Sequence, residues 1–233
     1  VVTIVPSLVS TFIFMFFSIA IPTYEMKGMG VEYLEYSFNI LYSQTYTDFE
    51  IIISDHSTTD DIKNLCEQWG QILTIKYISN SNKRGISSAN INNAIKHATG
   101  DIIKILFQDD FLYDEYSLEK QLECFKGDWM VTACCHYDGK EIHKPFYPKY
   151  HNNIQYGENT ISSPSVLMFK NKNVLEFDEN LFWLMDVDYY KRLYNVFGDP
   201  SICSYITVVN REHENQVSNT LATEEIKEKE LEY

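Results

Sequence analysis

The sequence predicts an α/β fold: a mostly parallel central sheet with helices on both faces. Three observations carry that expectation. Short β-branched runs alternate with amphipathic stretches from Ser18 to Phe107, no long linker or internal repeat interrupts them, and each apolar run ends in polar residues. Such alternation implies parallel strands joined by right-handed helical crossovers. Ligands of these sheets bind at the carboxyl ends of the strands.

Taken in order, Ser18–Pro22 (SIAIP) reads as a short buried strand closed by a turn. Val31, Leu34, Phe38 and Leu41 fall at helical spacing, so a helix is expected between Val31 and Gln44. Phe49–Ser54 (FEIIIS) is the continuous apolar run of a strand covered on both faces. Ile62, Leu65, Cys66 and Trp69 mark a helix ended by Gly70. Leu73–Ile78 is the third strand, and Ile91, Ile95 and Ala98 mark a helix closed by Gly100. Asp101–Phe107 (DIIKILF) is the fourth strand, running directly into Gln108-Asp109-Asp110. The second half is less regular. A helix is expected within Phe111–Phe125, a strand over Trp129–Tyr137, an exposed ligand-facing loop over Asp138–Tyr156, a strand over Pro164–Lys170 and a helix over Asp186–Phe197. Thr223–Tyr233, with five Glu and two Lys, reads as a solvated helix end or a frayed terminus.

Composition limits the partners. The 233 residues include 19 Lys+Arg and 33 Asp+Glu, a net charge of −14. A broad basic surface for DNA or RNA is thereby excluded, and no nucleic-acid partner is expected. An anionic ligand would need a local device that overcomes the field of the whole protein. The five cysteines (Cys66, Cys124, Cys134, Cys135, Cys203) show no C-x-x-C pair, which reads as reduced thiols in a reducing, cytoplasmic compartment. Residues Val1 to Tyr24 carry no charge. Their length permits a spanning helix of about 20 residues. Pro6 and Pro22 bracket the stretch, however, no Lys or Arg precedes it, and Ser18–Pro22 is needed as a strand. A strand or appendage packed on the domain is expected, with membrane contact or a sequence artefact as the less favoured readings.

Several clusters could carry chemistry. Asp109-Asp110 closes an apolar strand, where adjacent carboxylates repel unless a cation lies beside them; hard oxygens suit Mg²⁺ or Mn²⁺, which also accept diphosphate oxygens. The alternative is a helix N-terminus stabilised by negative charge. Asp55 could accept a hydrogen bond from a base, and Ser57, Thr58 or Thr59 could cap the next helix. Lys83 and Arg84 beside Gly85 suit either a phosphate contact or a solvated loop. Asp186, with Asp188, opens a helix as either a general base aimed into a cleft or a cap. His213, in REHENQ, could bind metal or diphosphate or be an ordinary surface histidine.

Together, SIAIPTYE, QTYTDFEIIISDHSTTD and NKRGISSANINNAIKHATGDIIKILFQDD resemble the nucleotide-binding half of family-2 glycosyltransferases with the GT-A fold. The run ISSPSVLMFKNKNVLEFDENLFWLMDVDYYKRLYNVFG resembles their acceptor half, and REHENQVS their closing segment. The likeness covers Ser18 to Ser218, with residues 18–110 as the nucleotide-sugar half, 111–218 as the acceptor half, 1–17 as an apolar extension and 219–233 as an acidic tail. It implies metal-dependent, inverting transfer of a sugar from a nucleotide-sugar, usually uridine-linked, to a hydroxyl of a glycan or other acceptor. Carried over by position, Pro22, Thr23, Tyr24 and Glu25 line the nucleoside pocket and Asp55 meets the base; with Ala89 in place of a usual Arg, Arg84 or Lys83 supplies any cationic contact, or none does. Asp109 and Asp110 stand at the D-x-D position, with Asp110 nearest the metal and His213 as a further ligand, and Asp186 stands at the catalytic base. Phe107 replaces the first Asp of longer D-x-D-D forms, Ala89 a usual Arg, and Met185 a common Glu. These departures keep open a non-catalytic nucleotide-sugar-binding or carbohydrate-binding module on the same fold. A nucleotidyltransferase fits less well, since PTYEMKGMG is a poor phosphate loop.

Overall fold

A computed structural model describes residues 15–214, 216 and 223–233. The expectations for residues 1–14 lie outside the described residues. Strands β1 (Phe17–Thr23), β2 (Phe49–Asp55), β3 (Ile75–Ser79) and β4 (Ile102–Ile105) alternate with helices α1 (Gly30–Tyr42), α2 (Asp61–Trp69) and α3 (Ser87–Lys96). Next come β5 (Phe111–Leu112), α4 (Ser117–Cys124), β6 (Trp129–Tyr137), β7 (Ile142–Phe146), β8 (Leu167–Lys170), α5 (Met185–Phe197), β9 (Ser201–Arg211) and α6 (Glu224–Glu232).

The strands form one sheet in the order β3-β2-β1-β4-β8-β6-β9-β5, with β7 paired to β6. The β3-β2-β1-β4 half is wholly parallel. Beyond it β8 runs antiparallel to both β4 and β6, while β6 and β9 pair in parallel. Every residue of β1 and β2 is buried, as helices on both faces require. Strand order, not strand direction, reverses between β1 and β4: the link from β1 leads to β2 on one side, while β4 lies parallel on the other. That switch point opens a crevice outside the carboxyl ends of β1 and β4. The Tyr24–Glu25 and Gln108–Asp110 segments edge it. Gly30 is required there, because a Cβ would lie 2.4 Å from the Tyr24 carbonyl and 2.8 Å from Gln108 Nε2. The Gln108 amide joins the two segments, accepting from Tyr24 N at 2.9 Å and donating to the Gly30 carbonyl at 2.7 Å.

Several expectations are corrected. Phe111–Phe125 holds the expected helix, α4, from Ser117, but opens with an unexpected strand, β5, paired antiparallel to β9. Asp138–Tyr156 is only partly a loop: β7 pairs antiparallel with β6, Ile154 is buried, and Tyr150 stacks on Tyr194 at 4.0 Å. The strand expected from Pro164 starts at Leu167 after a 3-10 turn. Helix α3 ends at Lys96 rather than Gly100, which packs against the Phe16 carbonyl instead. β9 was not expected. Its outer half is exposed and its pairing with β6 is bulged near Ala133, so its alternation is broken. In the acidic tail, residues 224–232 form the exposed helix α6, the solvated-helix alternative, with Glu230 bonded to the loop ahead of α5.

Candidate functional site

Two cavities of about 500 and 540 Å³ open at the carboxyl rim and share Ser87, Phe107, Asp109, Phe182 and Gln216 in their walls. The first is lined further by Pro22, Tyr24, Glu25, His56, Thr58, Arg84, Asn90, Gln108 and His213. The second holds Asp110, Asn159, Ser163, Asp186, Asn210 and Glu212.

In the first cavity the loops after β1 and β2 are tied together by Glu25, whose carboxylate accepts from Thr58 Oγ1 at 2.6 Å and from the Thr58 backbone N–H. Slight burial raises its pKa, but the Thr58 bonds outweigh this and leave it below the ordinary value. Asn90, on α3, donates to the Thr23 carbonyl at 3.0 Å and accepts from Ser54 Oγ at 2.7 Å, fixing the floor. Burial lowers the His56 pKa, with the nearby Arg84 adding to it, which favours a neutral imidazole. Arg84 faces the cavity, whereas Lys83 pairs with Glu179 at 2.5 Å. Pro22, Tyr24, Glu25 and Arg84 thus lie on this wall, as does Asp109.

Thr23 and Asp55 do not line it. Asp55 is 1% exposed. Its Oδ1 accepts from Thr23 Oγ1, Ser57 N and Ser57 Oγ at 2.7–3.0 Å, and its Oδ2 from Tyr77 at 2.8 Å. Both side chains brace the loop from beneath, because a buried carboxylate is retained only when its oxygens are satisfied.

The acidic pair is held by Arg211. Its guanidinium lies 4.4 Å from the Tyr33 ring centre and 5.1 Å from that of Phe111, with Tyr36 and Tyr137 completing an aromatic cage. From there Arg211 Nε donates to the Asp109 carbonyl at 3.0 Å, and the Arg211 backbone N–H donates to Asp110 Oδ1 at 3.1 Å. Ser163 Oγ donates to Asp110 Oδ2 at 3.1 Å. Burial, together with neighbouring Asp109, pushes Asp110 up to about 7. Asp109 behaves differently: it faces both cavities, and its Oδ2 lies 2.9 Å from His213 Nε2. Asp109 with His213 is the pair presented to the first cavity, while Asp110 has both oxygens engaged.

Among the described residues no group of three or more His, Cys, Asp or Glu is gathered for a metal. The chemistry of the donor pair still fits one. Two adjacent octahedral ligands at about 2.1 Å from Mg²⁺ stand about 3 Å apart, and such ions commonly take one or two protein ligands plus phosphate oxygens.

In the second cavity Asp186 opens α5. Its Oδ1 accepts from Val187 N at 2.7 Å and its Oδ2 from Asn159 Nδ2 at 2.7 Å. Asn159 cannot flip, since its Oδ1 accepts from Ile161 N and Ser162 N. Burial pushes the Asp186 carboxyl up to about 7 despite these bonds. Asp186 and Asp110 therefore share one cavity. Sequence reasoning gave no role to His56, Asn90, Asn159 and Phe182; His56, at the carboxyl end of β2, and Asn90, beside the substituted Ala89, had a positional signal.

Comparison with known proteins agrees with this architecture. S. aureus TarS 1-349 in complex with UDP-GlcNAc superposes with a TM-score of 0.71 at 18% identity, covering 90% of this chain and 62% of that one. A Pyrobaculum calidifontis mannosyltransferase in complex with GDP-Man and Mn²⁺ gives 0.62 at 17% identity, covering 85% and 56%. The chain thus has the GT-A fold. It belongs to Glycosyl transferase family 2, whose profile matches residues 18–194. Chondroitin synthase of Escherichia coli is 35% identical over 126 residues, 54% of this chain. A Campylobacter jejuni GalNAc(5)-diNAcBac-PP-undecaprenol beta-1,3-glucosyltransferase is 30% identical over 96 residues, 41% of this chain. The chain spans 17% and 30% of these two relatives' lengths. No helix among the described residues is long and apolar enough to cross a membrane.

Proposed function

We propose that this chain transfers a sugar, with inversion, from a nucleotide-sugar to an acceptor hydroxyl. The carrying observation is the pair of joined cavities: a donor-sized cleft edged by Glu25, Arg84 and Asp109, opening beside a second that holds Asp186. Uridine is the favoured nucleoside, supported by the UDP-GlcNAc bound to TarS. A glycan is the favoured acceptor, and the cysteine pattern favours the cytoplasm.

Asp109 and His213 would hold Mn²⁺ or Mg²⁺, which when bound neutralises charge on the diphosphate leaving group. This is the local device that an acidic protein needs for an anionic donor. Arg84 adds a positive charge on the same wall, and Phe107 and Phe182 form an apolar edge shared by the two cavities. Asp186, ionised, takes the proton from the acceptor hydroxyl as that oxygen attacks the anomeric carbon opposite the leaving group. Bonds from Val187 and Asn159 aim its carboxylate, and a pKa near 7 matches a base working at neutral pH. Thermal stabilisation by a panel of nucleotide-sugars, with and without Mn²⁺, tests the donor half. Absence of metal-dependent stabilisation by every donor would sink it.

A further inference from the structure

The loop at residues 178–184 leads into α5 and so carries Asp186. Leu184, at the helix start, caps it with no side-chain bond. Instead the Glu230 carboxylate, at the far end of the chain, accepts three consecutive backbone N–H groups: Phe182 at 2.6 Å, Trp183 at 2.9 Å and Leu184 at 2.8 Å. Orphan donors ahead of a helix are satisfied here by a charged acceptor, the stronger kind of hydrogen bond. The same loop meets α6 elsewhere. Lys227 lies 5.6 Å from the Trp183 ring centre, and Tyr233 OH donates to Asp178 Oδ2 at 3.1 Å. Leu231 and Leu184 both pack against Gly157.

None of the residues of α6 is buried. A nine-residue helix is marginal by itself, so these largely polar contacts are what place it. What it holds is functional wall. Phe182 borders both cavities, and Trp183 and Leu184 border the one containing Asp186.

We propose that Glu230 is a positioning residue: through it α6 straps the 178–184 loop and sets Asp186 and the Phe182 wall in register for transfer. This rests on Asp186 being the base, as proposed above. The charge of Glu230 acts in the same direction, adding to burial in raising the Asp186 pKa. The other charged or titratable groups bordering that cavity are Asp109 and Asp110 after β4, His136 on β6 and Glu212 after β9. On α5 itself, Tyr190 lies behind Asp186, and Asp188 is paired with Arg192.

The test compares wild type, E230A and E230Q in the full chain by steady-state transfer, donor calorimetry and thermal melting. E230A removes the tether and is expected to lower kcat about tenfold to a hundredfold while donor affinity changes less than about threefold, as for a misplaced base. E230Q keeps one acceptor oxygen and removes the charge, so the acidic limb of its kcat/KM profile is expected to move to lower pH. Wild-type kcat in E230A overturns the proposal. So does an unmoved acidic limb in E230Q, or a fall of kcat and donor affinity together in step with the melting temperature. Failure of the underlying reading looks different: wild type would be inactive with every donor, or D186N would stay fully active.

Discussion

Replacing Asp186 by Asn tests the chemistry and the electrostatics of the site at once. Positioned general-base catalysis contributes about 10²–10⁴-fold, so transfer should fall by at least that range while donor binding in the other cavity survives. In wild type, burial holds the carboxyl near 7. The ionised fraction then falls from about 0.9 at pH 8 to about 0.03 at pH 5.5, so kcat/KM should drop roughly thirtyfold across that interval. The same burial makes a stability prediction with a fixed sign. A folded pKa raised above the unfolded value penalises the fold once the group ionises: nothing below about pH 4, growing up to about 7, and full above. The shift from 3.8 to about 7 corresponds to at most about 4 kcal/mol. Asn at this position presents an N–H₂ to the locked Asn159 amide and loses that bond, about 1 kcal/mol. D186N should therefore be more stable than wild type by up to about 3 kcal/mol at pH 8 and no more stable near pH 4. Urea melts at the two pH values, with nucleoside diphosphate release as the rate assay, measure both effects. A variant that keeps a tenth of wild-type activity, or a stability difference independent of pH, would refute the reasoning.

Three further outcomes are expected. D109A and H213A should each abolish metal-dependent thermal stabilisation by the donor, and excess chelator should stop wild-type turnover; stabilisation that persists in either variant removes the pair from the metal site. Glu50, 8% exposed, accepts from Ser18 Oγ, Thr99 N and Thr99 Oγ1 at 2.6–2.7 Å, so E50A should cost about 2–3 kcal/mol in urea melts at neutral pH. Burial alone would raise its pKa, but these bonds bring it below the ordinary value. The contribution is therefore present above the unfolded pKa and lost as pH falls through the folded one, and E50A and wild type should converge in acid. G30A forces a Cβ to 2.4 Å from the Tyr24 carbonyl and should destabilise by about 1–3 kcal/mol with weakened donor binding, read by melting and calorimetry.

Much of this site was legible in the sequence. The β-branched runs ending at Thr23 and before Gln108 read as parallel strands, so Tyr24, Glu25 and Asp109 arrive at one carboxyl rim by topology alone. Asp186 was legible because the inward spacing of Val187, Tyr190 and Leu193 defines α5 and its first turn. The partners of Asp55 and Asp110 were not legible, for one reason. A carboxylate at a strand end looks the same in sequence whether it faces a ligand or is consumed by Tyr77, Ser57, Ser163 or Arg211 from elsewhere in the chain. β7 was hidden because an edge strand with Pro145 and exposed Lys144 carries no alternating pattern.

Local sequence by itself determined the alternating units, the polar rim and the residue types able to bind an anion through a cation, because periodicity and strand-end chemistry act over a few residues. Only the tertiary structure decided which carboxylate faces which cavity, that Arg211 cages the acidic turn, and that Glu230 reaches back to the loop before Asp186. Those outcomes depend on contacts spanning tens to more than a hundred residues, where burial and hydrogen-bond competition, not local preference, select the partner.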